Sequence, residues 1–337
     1  MDTITITLEE LEQIRRLLKI NSEFSCGDFT PVDQGSLKKL SVVAHKLPDR
    51  IIDFLTGFKY AEDGDGICLI RGFFIDEKKI LGTPGTWNDD SANRRTKEES
   101  LFLLLCAAFL GDPIAWSTQQ GGRIVHNIVP VKGDEYKQVG SSTKAKLWWH
   151  TEEAFHPCRC DYLGLLCLRN REKVATTYAS VKSLNISDEV KRILFGPNFT
   201  IYPDLSHLSK EHSWANEDTS DSSPVMALKV PVLFGAYDDP YICIDPFYME
   251  TNIDTEAHRA LQEIVKEIDN NLKSAVLEPG DLLFMDNYRV VHGRAAFEAD
   301  FGFSGRWLKR VNITRDLRKS RALRQNAESR IIETISR

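Results

Sequence analysis

From residue 145 onward the chain consists largely of short β-type runs: Leu163 to Leu168, Val174 to Val181, Val230 to Phe234, Tyr241 to Ile244 and Asp281 to Met285. This feature restricts the fold more than any other. Such runs are too short for buried helices, and their apolar and β-branched content suits strands. One helix interrupts them, where Ala257, Leu261, Ile264, Val265 and Ile268 fall on a common face. Many short strands at irregular spacing predict a mainly β fold with added helices, a double-sheet barrel of the jelly-roll kind. The helical additions are expected within about residues 1–110. There Thr7 and Glu10 form a capping box ahead of Leu11, Ile14, Leu17 and Leu18. Thr96 and Glu99 repeat the signal before the apolar run Leu101 to Leu110, which stops at Gly111 and Pro113. Between these helices, Gly66 to Gly72 reads as a buried strand. Residues 1–337 are expected to form one domain, and the polar stretch from Ser206 to Pro224 reads as a mobile loop or a disordered insertion, and at a barrel mouth as a candidate lid.

With 42% apolar and 27% charged residues, the chain can bury a sizeable core. A formal net charge of −6 argues against a partner gripped through many phosphates, so nucleic acid is not expected. The basic run Arg315, Arg318, Lys319, Arg321 and Arg324 has helical spacing and reads as a solvated helix face. Met1 to Ile20 lacks the apolar core of a secretory signal, and no apolar stretch reaches the roughly 18 residues that a membrane span needs. A cytoplasmic location with no membrane partner is therefore expected. The seven cysteines show no framework spacing and fit reduced thiols better than disulfides or a zinc site.

The chemistry concentrates in two places. Leu147-Trp148-Trp149-His150-Thr151-Glu152 sets an imidazole and a carboxylate two residues apart, on one face if the segment is extended. Far along the chain, Pro279-Gly280-Asp281 leads to His292-Gly293-Arg294. Two histidines and one carboxylate are the set that binds Fe(II) on one face and leaves positions open. Arg306 and Arg310 follow His292 by fourteen and eighteen residues, share one face of a strand, and could clamp two carboxylates. Taken without the histidines, they would read as surface ion pairs.

Read together, His150-Thr151-Glu152, Thr176-Thr177-Tyr178-Ala179-Ser180, Pro279-Gly280-Asp281, His292-Gly293-Arg294, Arg306 and Arg310 resemble the 2-oxoglutarate-dependent oxygenases of the clavaminate synthase-like group, relatives of taurine dioxygenase. The resemblance runs from about Trp116 to Leu317 and implies a distorted double-stranded β-helix. It implies His150, Glu152 and His292 as iron ligands, with Arg306 and Thr176 on the distal carboxylate of 2-oxoglutarate; Thr177 leaves that register open by one. It implies Arg310 on a substrate α-carboxylate, and Gln120, or its neighbour Gln119, with Glu152 near the α-amino group. Fe(II) is then the cofactor, and 2-oxoglutarate and O2 are cosubstrates that yield succinate, CO2 and a hydroxylated C–H bond. Trp148, Trp149 and Phe155 could wall the site or be ordinary core.

The relatives that hydroxylate arginine or lysine carry acidic residues near Ala236-Tyr237-Asp238-Asp239-Pro240. Asp238 and Asp239 are thus expected to meet a cationic side chain, although a simple turn explains the same residues and Asp245 competes for the role. The expected substrate is a free L-amino acid, L-lysine first and L-arginine as the alternative, oxidised at C3 or C4. A zinc hydrolase would leave Arg306 and Arg310 unexplained, and a non-catalytic metal-binding barrel would need no cosubstrate clamp. A halogenase of the same group would lack the carboxylate ligand that Glu152 provides.

Overall fold

The computed structural model describes residues 1–21, 34–61, 64–204, 207 and 227–333. Its strands, in chain order, are β1 (Asp2–Thr5), β2 (Ile67–Arg71), β3 (Asp112–Trp116), β4 (His126–Ile128), β5 (Leu147–His150), β6 (Tyr162–Arg169), β7 (Ala175–Ser180), β8 (Phe199–Ile201), β9 (Leu228–Val230), β10 (Leu233–Gly235), β11 (Pro240–Ile242), β12 (Met249–Glu250), β13 (Lys273–Val276), β14 (Leu282–Asp286), β15 (Val290–Arg294), β16 (Trp307–Thr314) and β17 (Ile331–Ile332). The α-helices are α1 (Leu8–Ile20), α2 (Gln34–Ala44), α3 (Asp49–Tyr60), α4 (Glu77–Ile80), α5 (Asp90–Arg95), α6 (Lys97–Leu110), α7 (Asp188–Leu194) and α8 (Glu256–Asn270). None of the described helices is long and apolar enough to cross a membrane.

An eight-stranded sheet runs β1-β2-β14-β6-β16-β3-β17, with β4 also paired to β16, and a four-stranded sheet runs β13-β7-β15-β5. From β4 to β7, and again from β13 to β16, the chain steps between the two sheets. Period-two alternation then sorts the side chains. Leu163, Leu165, Leu283, Met285 and Leu308 of the large sheet meet Tyr178, Ala275 and Val290 of the small one between the layers. The intervening residues Leu166, Leu168, Leu282, Phe284 and Val311 face outward against α1, α2, α3 and α6. On the far side, Trp149, Ala179 and Val291 of the small sheet pack with α7 and α8.

Local signals account for most of this. The Thr7 capping box forms with both of its hydrogen bonds. Thr96 also precedes its helix, but it makes no cap; its hydroxyl donates back to Ala92 O at 2.8 Å because α5 has only just ended. The expected run from Val230 to Phe234 is divided between β9 and β10. In the basic run, Arg324 is buried, donating to Ala327 O at 2.8 Å and Ser320 Oγ at 3.0 Å, and so departs from a solvated face. Six described cysteines are free and buried. The expected lid over Ser206 to Pro224 lies outside the described residues, His207 excepted.

Candidate active site

β5 and β15 pair so that His292 lies opposite His150, with ring centroids 4.7 Å apart. Glu152 follows β5 and turns its Oε2 toward both imidazoles, 3.6 Å from His150 Nε2 and 3.4 Å from His292 Nε2. His150 Nδ1 donates to Trp148 O at 2.8 Å, which leaves Nε2 free to accept a metal. Burial lowers the His292 pKa, toward the neutral form that a ligand needs; at His150 burial acts the same way, but Glu152 and Asp245 outweigh it and raise the pKa to about 9. Burial alone would raise the Glu152 pKa; Arg310, then His150 and His292, outweigh it and hold the carboxylate well below its usual range. The donor set fits one divalent cation: the three candidate ligand atoms lie within 4.8 Å of one another.

Asn287, given no role from the sequence, braces this turn. Its Oδ1 accepts the Glu152 N–H at 2.7 Å, and its Nδ2 donates to Glu152 O at 2.9 Å and Cys160 O at 3.0 Å. In the sequence Asn287 reads as an ordinary residue of the turn between β14 and β15, with no signal of its own.

The inward positions of β16 are Arg306, just before its first residue, then Leu308 and Arg310, all lining a cavity of about 770 Å3 that also reaches the three ligands. Arg306 and Arg310 are about 13 Å apart along an extended strand, too far for one carboxylate to bridge them. Arg306 is buried, its Nε has no hydrogen-bond partner, and burial pulls its pKa down to about 10. Arg294, two residues after His292, is a second buried guanidinium there; burial and then the charge of Arg306 lower it to about 9. Thr176 lies across from Arg294 in the β7–β15 ladder and lines the cavity, whereas Thr177 takes the opposite face. Strand alternation thus brings Thr176, and not Thr177, to the cavity.

Arg310 has three neighbours. Its Nη1 donates to Glu152 Oε1, and its Nη2 lies 2.8 Å from Gln119 Oε1 and 2.9 Å from His126 Nδ1. The two oxygens of Glu152 are thus divided, one toward the imidazoles and one toward the guanidinium. Burial and then Arg310 hold His126 neutral, at a pKa of about 3, so its Nδ1 can accept. Gln120 is turned elsewhere: its amide brackets the Asn127 backbone, donating to Asn127 O at 2.9 Å and accepting from Asn127 N at 3.0 Å. Gln119 is therefore the glutamine whose side chain reaches the ligand cluster.

The structure does not bring Asp238 and Asp239 to the cavity. They are exposed in the turn that joins the antiparallel strands β10 and β11, and Asp239 faces Arg289 at 3.8 Å. Asp204 and Asp245 line the cavity instead. Thr151, between the two ligands, donates its N–H to Ile244 O at 2.9 Å, which sets Asp245 next to His150. Asp245 is pushed up to about 6 by burial; His150 opposes that shift and Asp204 adds to it. Trp148 lines the cavity mouth, while Trp149 is core and Phe155 packs on His207 at 4.9 Å.

Known proteins resemble this chain. A profile of the taurine catabolism dioxygenase TauD, TfdA family matches residues 58–312. The enduracididine beta-hydroxylase of Streptomyces hygroscopicus is 40% identical over 301 residues, covering 86% of this chain and 88% of that one. The L-ornithine/L-arginine 3-hydroxylase of Catenulispora acidiphila is 38% identical over 314 residues, 89% and 91% of the two chains. An L-lysine 4-hydroxylase of Chitinophaga pinensis is 29% identical over 309 residues, 88% and 77%. The crystal structure of the non-heme iron oxygenase OrfP with Fe, succinate and (3S)-hydroxy-L-Arg superposes with a TM-score of 0.87 at 36% identity, over 98% of this chain and 100% of that one.

Proposed function

Because this chain belongs to the TauD, TfdA family of dioxygenases, we propose that it hydroxylates the side chain of a free basic L-amino acid, L-arginine or a close relative of it, using Fe(II), 2-oxoglutarate and O2. The observation that carries the proposal is the distribution of charge along the cavity: Arg306 and Arg294, then the His150, Glu152, His292 cluster with Arg310, then Asp245 and Asp204. A small dicarboxylate fits the first part. A zwitterion with a cationic side chain fits the rest. The stepping of the chain between two sheets supports reading the core as the distorted double-stranded β-helix of this family.

In this reading His150, Glu152 and His292 hold Fe(II). Arg306 and Thr176 take the distal carboxylate of 2-oxoglutarate, a guanidinium fork supplying charge and direction and the hydroxyl a further donor. Arg310 takes the substrate α-carboxylate, and Gln119 meets the α-ammonium. Asp245 and Asp204 face the cationic end of the side chain, the role expected from sequence for Asp238 and Asp239. When bound, the iron with 2-oxoglutarate and O2 supplies the oxidation, by which one C–H becomes C–OH while 2-oxoglutarate leaves as succinate and CO2. The protein's share is orientation and the exclusion of water.

Arginine is preferred to the lysine expected from the residues alone. The relative named for L-ornithine and L-arginine is 38% identical, against 29% for a lysine hydroxylase. Two separate carboxylates, at 204 and 245, also suit a planar guanidinium better than a point charge. The test is succinate release with Fe(II), ascorbate and 2-oxoglutarate in air, with L-arginine, L-ornithine, L-lysine and the other free amino acids supplied one at a time. Mass detection should find L-arginine or L-ornithine gaining one oxygen. Turnover of lysine alone would overturn the choice of substrate, and no stimulation by any amino acid would overturn the substrate class.

A further inference from the structure

We infer that Glu153 is a positioning residue that fixes which end of the Gln119 amide faces the substrate, turning its carbonyl oxygen toward the α-ammonium group, and that His207 holds Glu153 in place. This rests on the amino-acid reading above.

Glu153 follows the ligand Glu152, and on an extended strand the two carboxylates would point to opposite faces. They do not, because Glu153 has a φ of 55°, in the left-handed region where a residue with a side chain is uncommon. Both carboxylates consequently reach the cavity. Glu153 is buried and has two partners. Gln119 Nε2 donates to its Oε1 at 2.9 Å, and its Oε2 contacts His207 Nε2 directly. His207 is itself socketed: its Nδ1 is 2.8 Å from Thr118 Oγ1, and its ring packs edge-on against Trp116 at 5.5 Å. With Oε2 set against His207, Oε1 is the oxygen left to accept from Gln119.

An amide has a donor end and an acceptor end of nearly the same shape, and only its neighbours decide between them. In this site a carboxylate oxygen takes the NH2, so Oε1 must turn the other way, where it accepts from Arg310 at 2.8 Å. Arg310 also favours that polarity until a substrate carboxylate occupies the guanidinium. Glu153 then remains to hold the amide. A carbonyl oxygen beside the carboxylate clamp selects an ammonium group, whereas an NH2 there would repel it.

The test compares L-arginine with 5-guanidinopentanoate, which lacks only the α-amino group, by calorimetric binding to protein loaded with Fe(II) and 2-oxoglutarate without oxygen. Wild type should prefer L-arginine, and Glu153→Gln should reduce that preference about tenfold through weaker arginine binding, with 2-oxoglutarate affinity within about twofold. The double variant Gln119→Glu with Glu153→Gln exchanges the two groups, again leaves an acceptor facing the ammonium, and should restore the preference. A structural role does not predict that rescue. An unchanged preference in Glu153→Gln, or equal loss of both ligands without rescue, overturns the inference and leaves the substrate reading intact. Failure of wild type to bind L-arginine or any other basic amino acid overturns the reading and the inference together.

Discussion

His150 and His292 are direct partners in the β5–β15 ladder, and the ladder shifts register immediately beyond them, between His292 and Arg294. The separation of the two imidazoles is therefore set by how closely two backbones approach. Gly293 permits that approach: a Cβ there would lie 2.6 Å from Leu147 O and 2.9 Å from Trp149 N. Both neighbours are backbone and cannot rotate aside. Gly293→Ala should push β5 away, lower Fe(II) affinity by about tenfold or more, and cost about 1–3 kcal/mol of stability. Metal titration and a denaturant melt measure the two effects, and an unchanged metal affinity would show that the ligands adjust independently of the ladder.

Arg306 and Thr176 predict a graded pair of effects on 2-oxoglutarate. Arg306→Ala removes a buried charge-assisted fork and should raise the KM for 2-oxoglutarate by about a hundredfold. Thr176→Val removes one neutral donor and should raise it by about tenfold or less. Fe(II) binding by calorimetry should change little in either variant, and an equal loss of metal and cosubstrate would remove Arg306 from its assigned role.

How much of this site was legible in the sequence depends on the geometry that each residue needs. Strand alternation is encoded in spacing, so His150 with Glu152, and Arg306 with Arg310, could be read as sharing a face. Two neighbouring candidates of like chemistry could not be separated by spacing: Thr176 from Thr177 depends on which sheet face is inward. Gln119 from Gln120 depends on a turn in which Gln120 (φ 44°) and Gly121 (φ 66°) are both left-handed. Glu153 shows the same limit, since an extended reading turns it away from the site. Asp245 was visible only as a competitor of Asp238 and Asp239, because its place next to His150 comes from the hydrogen bond between Thr151 and Ile244, 93 residues apart. The strand-rich second half and the helices α1, α6 and α8 were readable from patterning and end signals, whereas α2, α3 and α7 were not singled out.

The acidic part of the cavity gives a further contrast. Asp245→Asn keeps the oxygen that accepts the Phe247 N–H at 3.0 Å, so the local turn should survive while the charge is lost. The KM for L-arginine should rise by about ten- to a hundredfold, the cost of about 1.5–3 kcal/mol for one charged hydrogen bond, with the KM for 2-oxoglutarate unaffected. Asp238→Asn and Asp239→Asn, exposed in their turn, should change neither constant by more than about twofold. Steady-state kinetics on the three variants decide the matter, and the reverse ranking would place the cationic recess at the β10–β11 turn.

Lys309 predicts how stability depends on pH. It lies on the outward face of β16 between Trp307 and Val311, fully buried, with its Nζ donating to Asn127 Oδ1 at 3.1 Å. Burial pulls its pKa from 10.5 down to about 7; Glu99 opposes the shift and Arg123 adds to it. Between these two values the unfolded chain holds a proton that the folded chain has lost. Stability must then rise with pH across that window, by at most about 1.4 kcal/mol per unit, and stay level below pH 7, where both forms are charged. Other groups titrate in the same range, so the comparison that isolates Lys309 is with Lys309→Met, which keeps the volume and in which Asn127 Oδ1 still accepts from Trp307 Nε1 at 3.0 Å. Urea midpoints at pH 7.5 and 9.5 should show wild type gaining about 2 kcal/mol more than the variant. Equal gains would mean that Lys309 stays charged in the fold, held by Glu99 against the cost of burial.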